Sequence, residues 1–415
     1  MGNIVDYVRG ASASFAQEPL NRVDSLVFSW LAYARIPETL PDACGAEGIR
    51  LAQAFAPANR LALVAPLYDV ASSEALLAAC AASPRFADVV VCRAVDTWSR
   101  EREVQFSATC FVLPDAGAAS AAGAGGAGAA DGFTYVAFRG TDDTLVGWKE
   151  NFNMAFQIVP AQRAACDYLE NVAAAVAGPL YVGGHSKGGN LAVFAVNTCA
   201  AGVRERVVHC FAHDAPSFTP EVRAAAGWTG TDALVDKTIP EESVVGLLFE
   251  SSARDVTVIR STSPGFLQHA PFSWVVEGRD FATARAVSYD SYRANKRLNA
   301  WLTTLDEAER ERFVEVLYKL ANATGEVTMS GLTDSLQNGS LELALQRLDG
   351  LPAEDRAFFM RALEDLVATI LLGPAPVDAA TQTPVERVAD AQDKMDDITA
   401  RFDDRLAKLD KLAGL

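Results

Sequence analysis

The sequence predicts an α/β fold with a mostly parallel central sheet, helices on its faces and a helical extension at the C-terminal end. Three observations predict it. Residues 180–196 read as a short apolar strand, a Gly184-x-Ser186-x-Gly188 turn and a helix, with no proline in strand or helix. Between about 161 and 303, strand-like and helix-like runs alternate. Half of the 415 residues are hydrophobic, enough for one large domain and something smaller.

Taken in order, residues 20–34 predict an amphipathic helix that starts at Asn21 or Asp24, and residues 46–56 and 72–82 predict two more. Residues 101–113 alternate and carry β-branched and aromatic side chains, which predicts a strand. A Gly/Ala run at 116–130 cannot build a core and reads as a flexible loop. Phe133–Phe138 predicts the second strand of a hairpin closed by that loop. A helix follows near 161–177, then the strand at 179–183, a helix at 187–201 and a strand at 206–212. An apolar run covers 243–249, Asp255–Arg260 reads as a strand, and a helix covers roughly 281–303. Beyond residue 300, Thr304-x-x-Glu307 is a capping-box pattern for a helix to about 322. Pro352 stands at the first position of a helix that ends at Gly373. The expected organisation is an α/β body over 1–300, a helical extension over 301–373, a linker over 374–384 with Pro374, Pro376 and Pro384, and an amphipathic helix over 385–415. Val388, Ala391, Met395, Ile398, Phe402, Leu409 and Leu412 give that last segment a heptad-like stripe. The stripe suits a short coiled coil, hence self-association, as well as docking on the body.

Composition narrows the partners. A net charge of −17 argues against nucleic acid, which needs a basic surface, and against docking on anionic membranes. Seven cysteines, an odd number without a C-x-x-C pair, argue for free thiols rather than a disulfide framework or a zinc site. Cys80, Cys92, Cys110 and Cys210 lie in apolar runs. The first residues lack a basic stretch followed by an apolar one, and no window approaches the ~18 apolar residues of a membrane span. A cytoplasmic protein without metal or cofactor is the expectation.

The chemistry centres on Ser186. Strand, Gly-x-Ser-x-Gly and helix together form the nucleophile elbow of a serine hydrolase, a turn tight enough to project the serine away from the backbone. The helix N-terminus beneath it favours developing negative charge. A serine needs a base, and the base needs an orienting acid. Of the four histidines, His185 adjoins the serine and points away off the turn, and His209 and His213 flank the next strand. His269, on a late loop, fits the chain order serine, acid, histidine. Asp214, Asp236, Glu241, Glu242 and Asp255 all lie between Ser186 and His269 and are eligible as the acid. The backbone N–H of Lys187 is one oxyanion donor by geometry. The junction Phe138-Arg139-Gly140-Thr141-Asp142 stands where a second donor is expected.

These residues resemble the class 3 (fungal-type) lipase family of α/β-hydrolases, and within it a bacterial branch. Val136-Ala-Phe-Arg-Gly-Thr141 with Trp148-x-x-Asn151 is similar to that family's Phe-Arg-Gly-Thr/Ser and Trp–Asn signature. Gly184-His-Ser-Lys-Gly-Gly189 matches its elbow, and Asp214-Ala-Pro216 stands where the lipases carry Gly-Ala-Pro. Gln268-His269-x-Pro-Phe-Ser-Trp274 and the opening residues, including Val23-Asp-Ser-Leu26, look like the bacterial branch. The resemblance spans about residues 3–280. It implies an α/β-hydrolase fold, Ser186 as nucleophile, His269 as base, and Thr141 with the Lys187 N–H as the oxyanion hole. The lipases place an Asp just after the strand that follows Gly-Ala-Pro. Here Ile239-Pro-Glu-Glu-Ser-Val-Val-Gly246 has none; Glu242 falls nearest, and Asp255 is the alternative.

The expected activity is hydrolysis of a small-molecule or lipid-like carboxylester through an acyl-enzyme on Ser186. Thioester or amide cleavage and acyl transfer would use the same groups. A non-catalytic hydrolase-fold module that binds a partner is the alternative of another class. The Lys187 side chain either meets an anionic head group or points to solvent. Apolar residues over 215–280 suit an acyl pocket or lid as well as a core.

Overall fold

The computed structural model describes residues 2–65, 67, 69–99, 104–113, 132–141, 154, 157–249, 255–306, 308–313, 315–316 and 352–372. The Gly/Ala segment 116–130, Trp148, Asn151, the expected linker and the C-terminal segment 385–415 lie outside them. The chain divides into two units, Met1–Leu366 and Val367–Leu415. Of the second, only 367–372, the end of a helix, is described.

Four main helices precede most of the sheet: α1 (Ile4–Gly10), α2 (Arg22–Leu31), α3 (Pro57–Val64) and α4 (Val70–Ala82). Asn21 starts α2 by accepting from the Asp24 N–H at 2.9 Å, while the Asp24 carboxylate accepts from the Asn21 N–H at 3.0 Å. This reciprocal cap satisfies two donors that a helix start would otherwise leave bare. The helix expected at 46–56 is instead a two-residue strand, β1 (Ile49–Arg50), and one short turn of helix, Leu51–Ala54. Gly48 at φ 65 breaks the helical path before it.

Among the described residues the sheet has eight strands, in chain order: β1, β2 (Val90–Ser99), β3 (Val104–Leu113), β4 (Phe133–Phe138), β5 (Leu180–His185), β6 (Val207–His213), β7 (Val235–Pro240) and β8 (Asp255–Ile259). β1 to β4 are antiparallel, including the expected β3–β4 pair, and β4 to β8 are parallel. This is a mixed α/β architecture. The crossover helices α5 (Pro160–Ala175), α6 (Lys187–Thr198) and α7 (Pro220–Ala226) follow β4, β5 and β6. The sheet separates two cores. Tyr135, Ala137 and Phe211 pack with the N-terminal helices. Their strand neighbours Val136, Phe138, Cys210 and Ala212 pack with α5 and α6. Side chains that alternate across a strand produce this division. Right-handed crossovers between strands that each add to the same side of the last one keep the connecting helices on one face.

Two strands escape a reading by apolar pattern. β2 is interrupted by a bulge between Cys92 and Val95, with Arg93 at φ 51. β7 reads Val-Asp-Lys-Thr-Ile-Pro and is buried throughout. Its charged groups have partners: Asp236 pairs with Arg22 at 2.7 Å, and the Lys237 ammonium donates to the Ser217 hydroxyl at 3.0 Å.

The helix expected from 281 starts at Tyr289, where Ser288 caps it: α8 (Tyr289–Thr304). The residues before it extend the sheet side: a short hairpin of β9 (Val276–Glu277) and β10 (Asp280–Phe281), then a bridge from Thr283 to Ile259. Thr304 does not open the next helix; its hydroxyl donates back to the Trp301 carbonyl. The start signal belongs to Asp306 and Glu309, which cap one another at 2.8 and 2.9 Å. α9 (Ala353–Leu372) begins just after Pro352. Trp301, Leu305, Phe313 and Phe359 form a third core with Phe249 from the α/β body.

One buried ion pair anchors the N-terminal layer. The Arg85 guanidinium meets Asp24 at 2.6 and 2.9 Å and donates to the carbonyls of Ala13, Glu18 and Pro19. Both side chains are sealed from solvent. Replacing Arg85 by Leu strands the carboxylate, and urea denaturation is expected to read a loss of about 3–5 kcal/mol.

Candidate active site

The elbow is built by exclusion of side chains. Ser186 sits between β5 and α6 at φ 58, ψ −129, a backbone state that costs an L-residue about 1–3 kcal/mol. A Cβ on Gly184 would strike the Gly188 backbone and reach within 2.7 Å of the Gly189 nitrogen. A Cβ on Gly188 would strike the Phe138 carbonyl and reach within 2.9 Å of the Arg139 carbonyl carbon. So the two glycines let β5, α6 and the end of β4 touch. The Ser186 N–H donates to the His213 carbonyl at 2.9 Å, which ties the turn to the end of β6.

The end of β4 brings Thr141 to the same edge. Arg139 is held by Asp96 through two bonds of 2.7 and 3.0 Å, and its N–H donates to the Ser107 carbonyl at 3.0 Å. A Cβ on the next residue, Gly140, would lie 2.7 Å from the His185 carbonyl oxygen. Thr141 therefore follows a strand end that rests on the elbow. Lys187 begins α6, but its side chain neither meets a head group nor points to solvent. It is fully buried, and its ammonium donates to the Gln105 carbonyl at 2.7 Å.

His269 closes a 3₁₀ turn, Gly265–His269, after β8. Its Nδ1 lies 2.6 Å from Asp214 Oδ2. The acid that reaches the imidazole is thus Asp214, not Glu242. Asp214 follows β6 directly, at φ 43, and its side chain is wholly buried. Its other oxygen, Oδ1, accepts from the Ser243 hydroxyl at 2.5 Å and the Gly246 N–H at 3.0 Å. A carboxylate oxygen facing a ring nitrogen accepts, so the His269 proton sits on Nδ1 and Nε2 is left as an acceptor. Lys237 adds positive charge nearby. Burial pushes its ammonium down to about 8, against the attraction of Asp214.

Glu242 serves the loop rather than the ring. Its Oε2 accepts from the Gly265 N–H and from Gln268 Nε2, the latter at 3.1 Å, while its own N–H donates to Gln268 Oε1 at 3.0 Å. Asp255 is the first residue of β8, in register with Asp236 near the start of β7. β8 ends at Ile259, about 13 Å along at the rise of a parallel strand, and the turn that carries His269 follows that end.

Two further histidines line the buried side. His213 is sealed, with Nε2 at 2.9 Å from the Ser25 hydroxyl, and burial pushes it down to about 3. His185 is sealed too. Burial and then the neighbouring His269 hold it well below the usual imidazole range. Its ring does not point idly off the turn: Nε2 lies 2.9 Å from the His269 carbonyl oxygen. The sequence signal for Asp214 was its place in Asp214-Ala-Pro216, immediately after the strand that follows the elbow. The signal for His185 was only its adjacency to the serine.

A family model described as Mbeg1-like matches residues 80–319. The chain belongs to the Mbeg1-like family. The Mbeg1-like stretch runs from the end of α4 past α8. It contains Thr141, Ser186, Asp214, Glu242, Asp255 and His269, while α1 to α3 lie before it. No curated protein and no solved structure matches the chain. Among the described residues, no helix is long and apolar enough to cross a membrane.

Proposed function

We propose that this Mbeg1-like chain is a lipase-like serine hydrolase of the α/β-hydrolase type that cleaves carboxylesters through an acyl-enzyme. The observation that carries the reading is the 2.6 Å pair of His269 and buried Asp214, set at the sheet edge where Ser186 occupies a strained strand-to-helix turn. Ser186 Oγ attacks the ester carbonyl while His269 Nε2 takes its proton. Asp214 keeps the proton of Nδ1 in place and offsets the charge of the imidazolium. The Lys187 N–H at the start of α6, with Thr141, receives the developing oxyanion. The imidazolium then protonates the departing alkoxide, and a water activated by the same ring releases the acid.

The approach to His269 is apolar. Phe266 and Leu267 are 52% and 55% exposed, and the Phe266 ring is stacked 6.0 Å from that of His269. This supports an ester with an apolar acyl chain. All seven cysteines carry free thiols, which supports a reducing compartment.

The test is labelling by a fluorophosphonate together with hydrolysis of p-nitrophenyl esters of increasing chain length. Wild type is expected to label, to prefer longer acyl chains to acetate, and to lose both activities in Ser186→Ala and His269→Ala, with turnover falling by at least about 10³. Absence of labelling at high probe concentration would instead favour a non-catalytic module.

A further inference from the structure

His185 takes no part in the proton relay, yet it touches both ends of it. It precedes Ser186 in the chain and lies 84 residues from His269. Its Nε2 is 2.9 Å from the His269 carbonyl oxygen, and the two rings are 4.5 Å apart between centroids. A carbonyl only accepts, so Nε2 carries the proton and Nδ1 is the acceptor. The Tyr33 hydroxyl faces Nδ1 at 3.2 Å and can donate there, which fixes that tautomer. Tyr33 is itself stacked on Trp30 at 4.6 Å, and Trp30 meets Phe272 edge-on at 5.1 Å.

We propose that His185 is a positioning residue that locks the loop of the base to the turn of the nucleophile through its bond to the His269 carbonyl, with Tyr33 setting its tautomer. This rests on the hydrolase reading above. The other bonds of the loop hold different residues. Glu242 holds Gly265 and Gln268, and the Trp274 indole donates to the Gln268 carbonyl at 2.7 Å. The Asp214 bond fixes one ring nitrogen of His269 but not the peptide that carries the ring. His185 grips that peptide from the residue next to Ser186, so any shift of the turn moves base and nucleophile together. An imidazole suits the task because it donates while neutral. A cation in its place would oppose the positive charge that His269 acquires in each half-reaction.

The experiment uses the full chain with His185→Leu, His185→Gln and Tyr33→Phe, read by kcat and KM on a p-nitrophenyl ester, melting temperature, and the ¹⁵N resonances of the imidazoles. His185→Leu is expected to lower kcat by about tenfold to a hundredfold with KM little changed, the signature of a misplaced reacting group. His185→Gln, whose amide can donate from the same place, restores most of it, and Tyr33→Phe gives an intermediate loss. A kcat for His185→Leu equal to wild type, or a Gln variant as impaired as Leu, overturns the proposal. Should the Leu variant not fold, an unchanged kcat in Tyr33→Phe overturns it. If wild type neither labels nor turns over esters, the hydrolase reading falls by itself. The nitrogen resonances then decide: His269 unaltered by loss of the His185 donor overturns the link, and a redistributed His269 tautomer upholds it.

Discussion

Asp214→Asn is expected to lower kcat by about 10⁴, or roughly 5 kcal/mol of transition-state stabilisation. The amide that replaces Oδ2 can present N–H to the ring. It then favours the tautomer with the proton on Nε2, the nitrogen that has to accept from Ser186. It also removes the charge that balances the imidazolium. Glu242→Gln is expected to cost less than about tenfold, because the amide oxygen still accepts from Gly265 and only the loop is perturbed. Asp255→Asn, at the start of β8 rather than at the end that leads to His269, is expected to leave kcat unchanged. Steady-state kinetics and fluorophosphonate labelling rates on the three variants, each with a matched thermal melt, rank them. A collapsed Glu242→Gln beside an active Asp214→Asn would return the acid role to position 242.

The second large effect is on stability in acid. His213 is neutral in the fold because it is sealed between β6 and α2, with Nδ1 unpartnered among the described residues and Nε2 against Ser25. Its proton affinity is depressed from 6.5 to about 3. Between these values the unfolded chain holds a proton that the folded chain does not. Stability is therefore complete above about pH 6.5 and falls as the pH drops toward 3. At about 1.4 kcal/mol per unit, the loss from this one ring approaches roughly 5 kcal/mol at the acid end. His185, also depressed by burial, acts in the same direction. Urea midpoints at pH 7, 5 and 4 are expected to fall steadily for wild type and to fall less steeply for His213→Gln. Equal slopes in the two proteins would mean that carboxylates alone govern the acid limb.

The elbow was legible because its chemistry is local. Gly184, Ser186 and Gly188 lie within five residues, and the apolar runs around them have the period of a strand and of a helix. β4, β5, β6 and β8 were legible for the same reason. β7 was not: its Asp236 and Lys237 look like a surface segment until Arg22 and Ser217, distant in the chain, are brought to them. The carboxylate that contacts His269 was not singled out, for a related reason. The resemblance, which places the lipases' Asp just after the strand that follows Gly-Ala-Pro, pointed to Glu242, but the left-handed backbone at Asp214 turns that carboxylate back under His269, where Ser243 and Gly246 receive it. Spacing finds groups that a single turn positions; it does not find groups that two loops position jointly. The capping box moved two residues for a smaller reason: Thr304 could bond to the turn behind it, which left Asp306 to start the next helix.

The sheet runs from β1 to β8 with each strand beside its predecessor. A chain emerging from the ribosome can therefore lay down this sheet from one side, strand upon strand, without waiting for a distant partner to arrive. The serine turn is complete once β6 is in place, whereas the ring of His269, the proposed base, is delivered only after β8. If the proposed relay holds, the hydroxyl is during synthesis a bare alcohol, chemically silent beside any acyl group it meets, until its last partner leaves the exit tunnel.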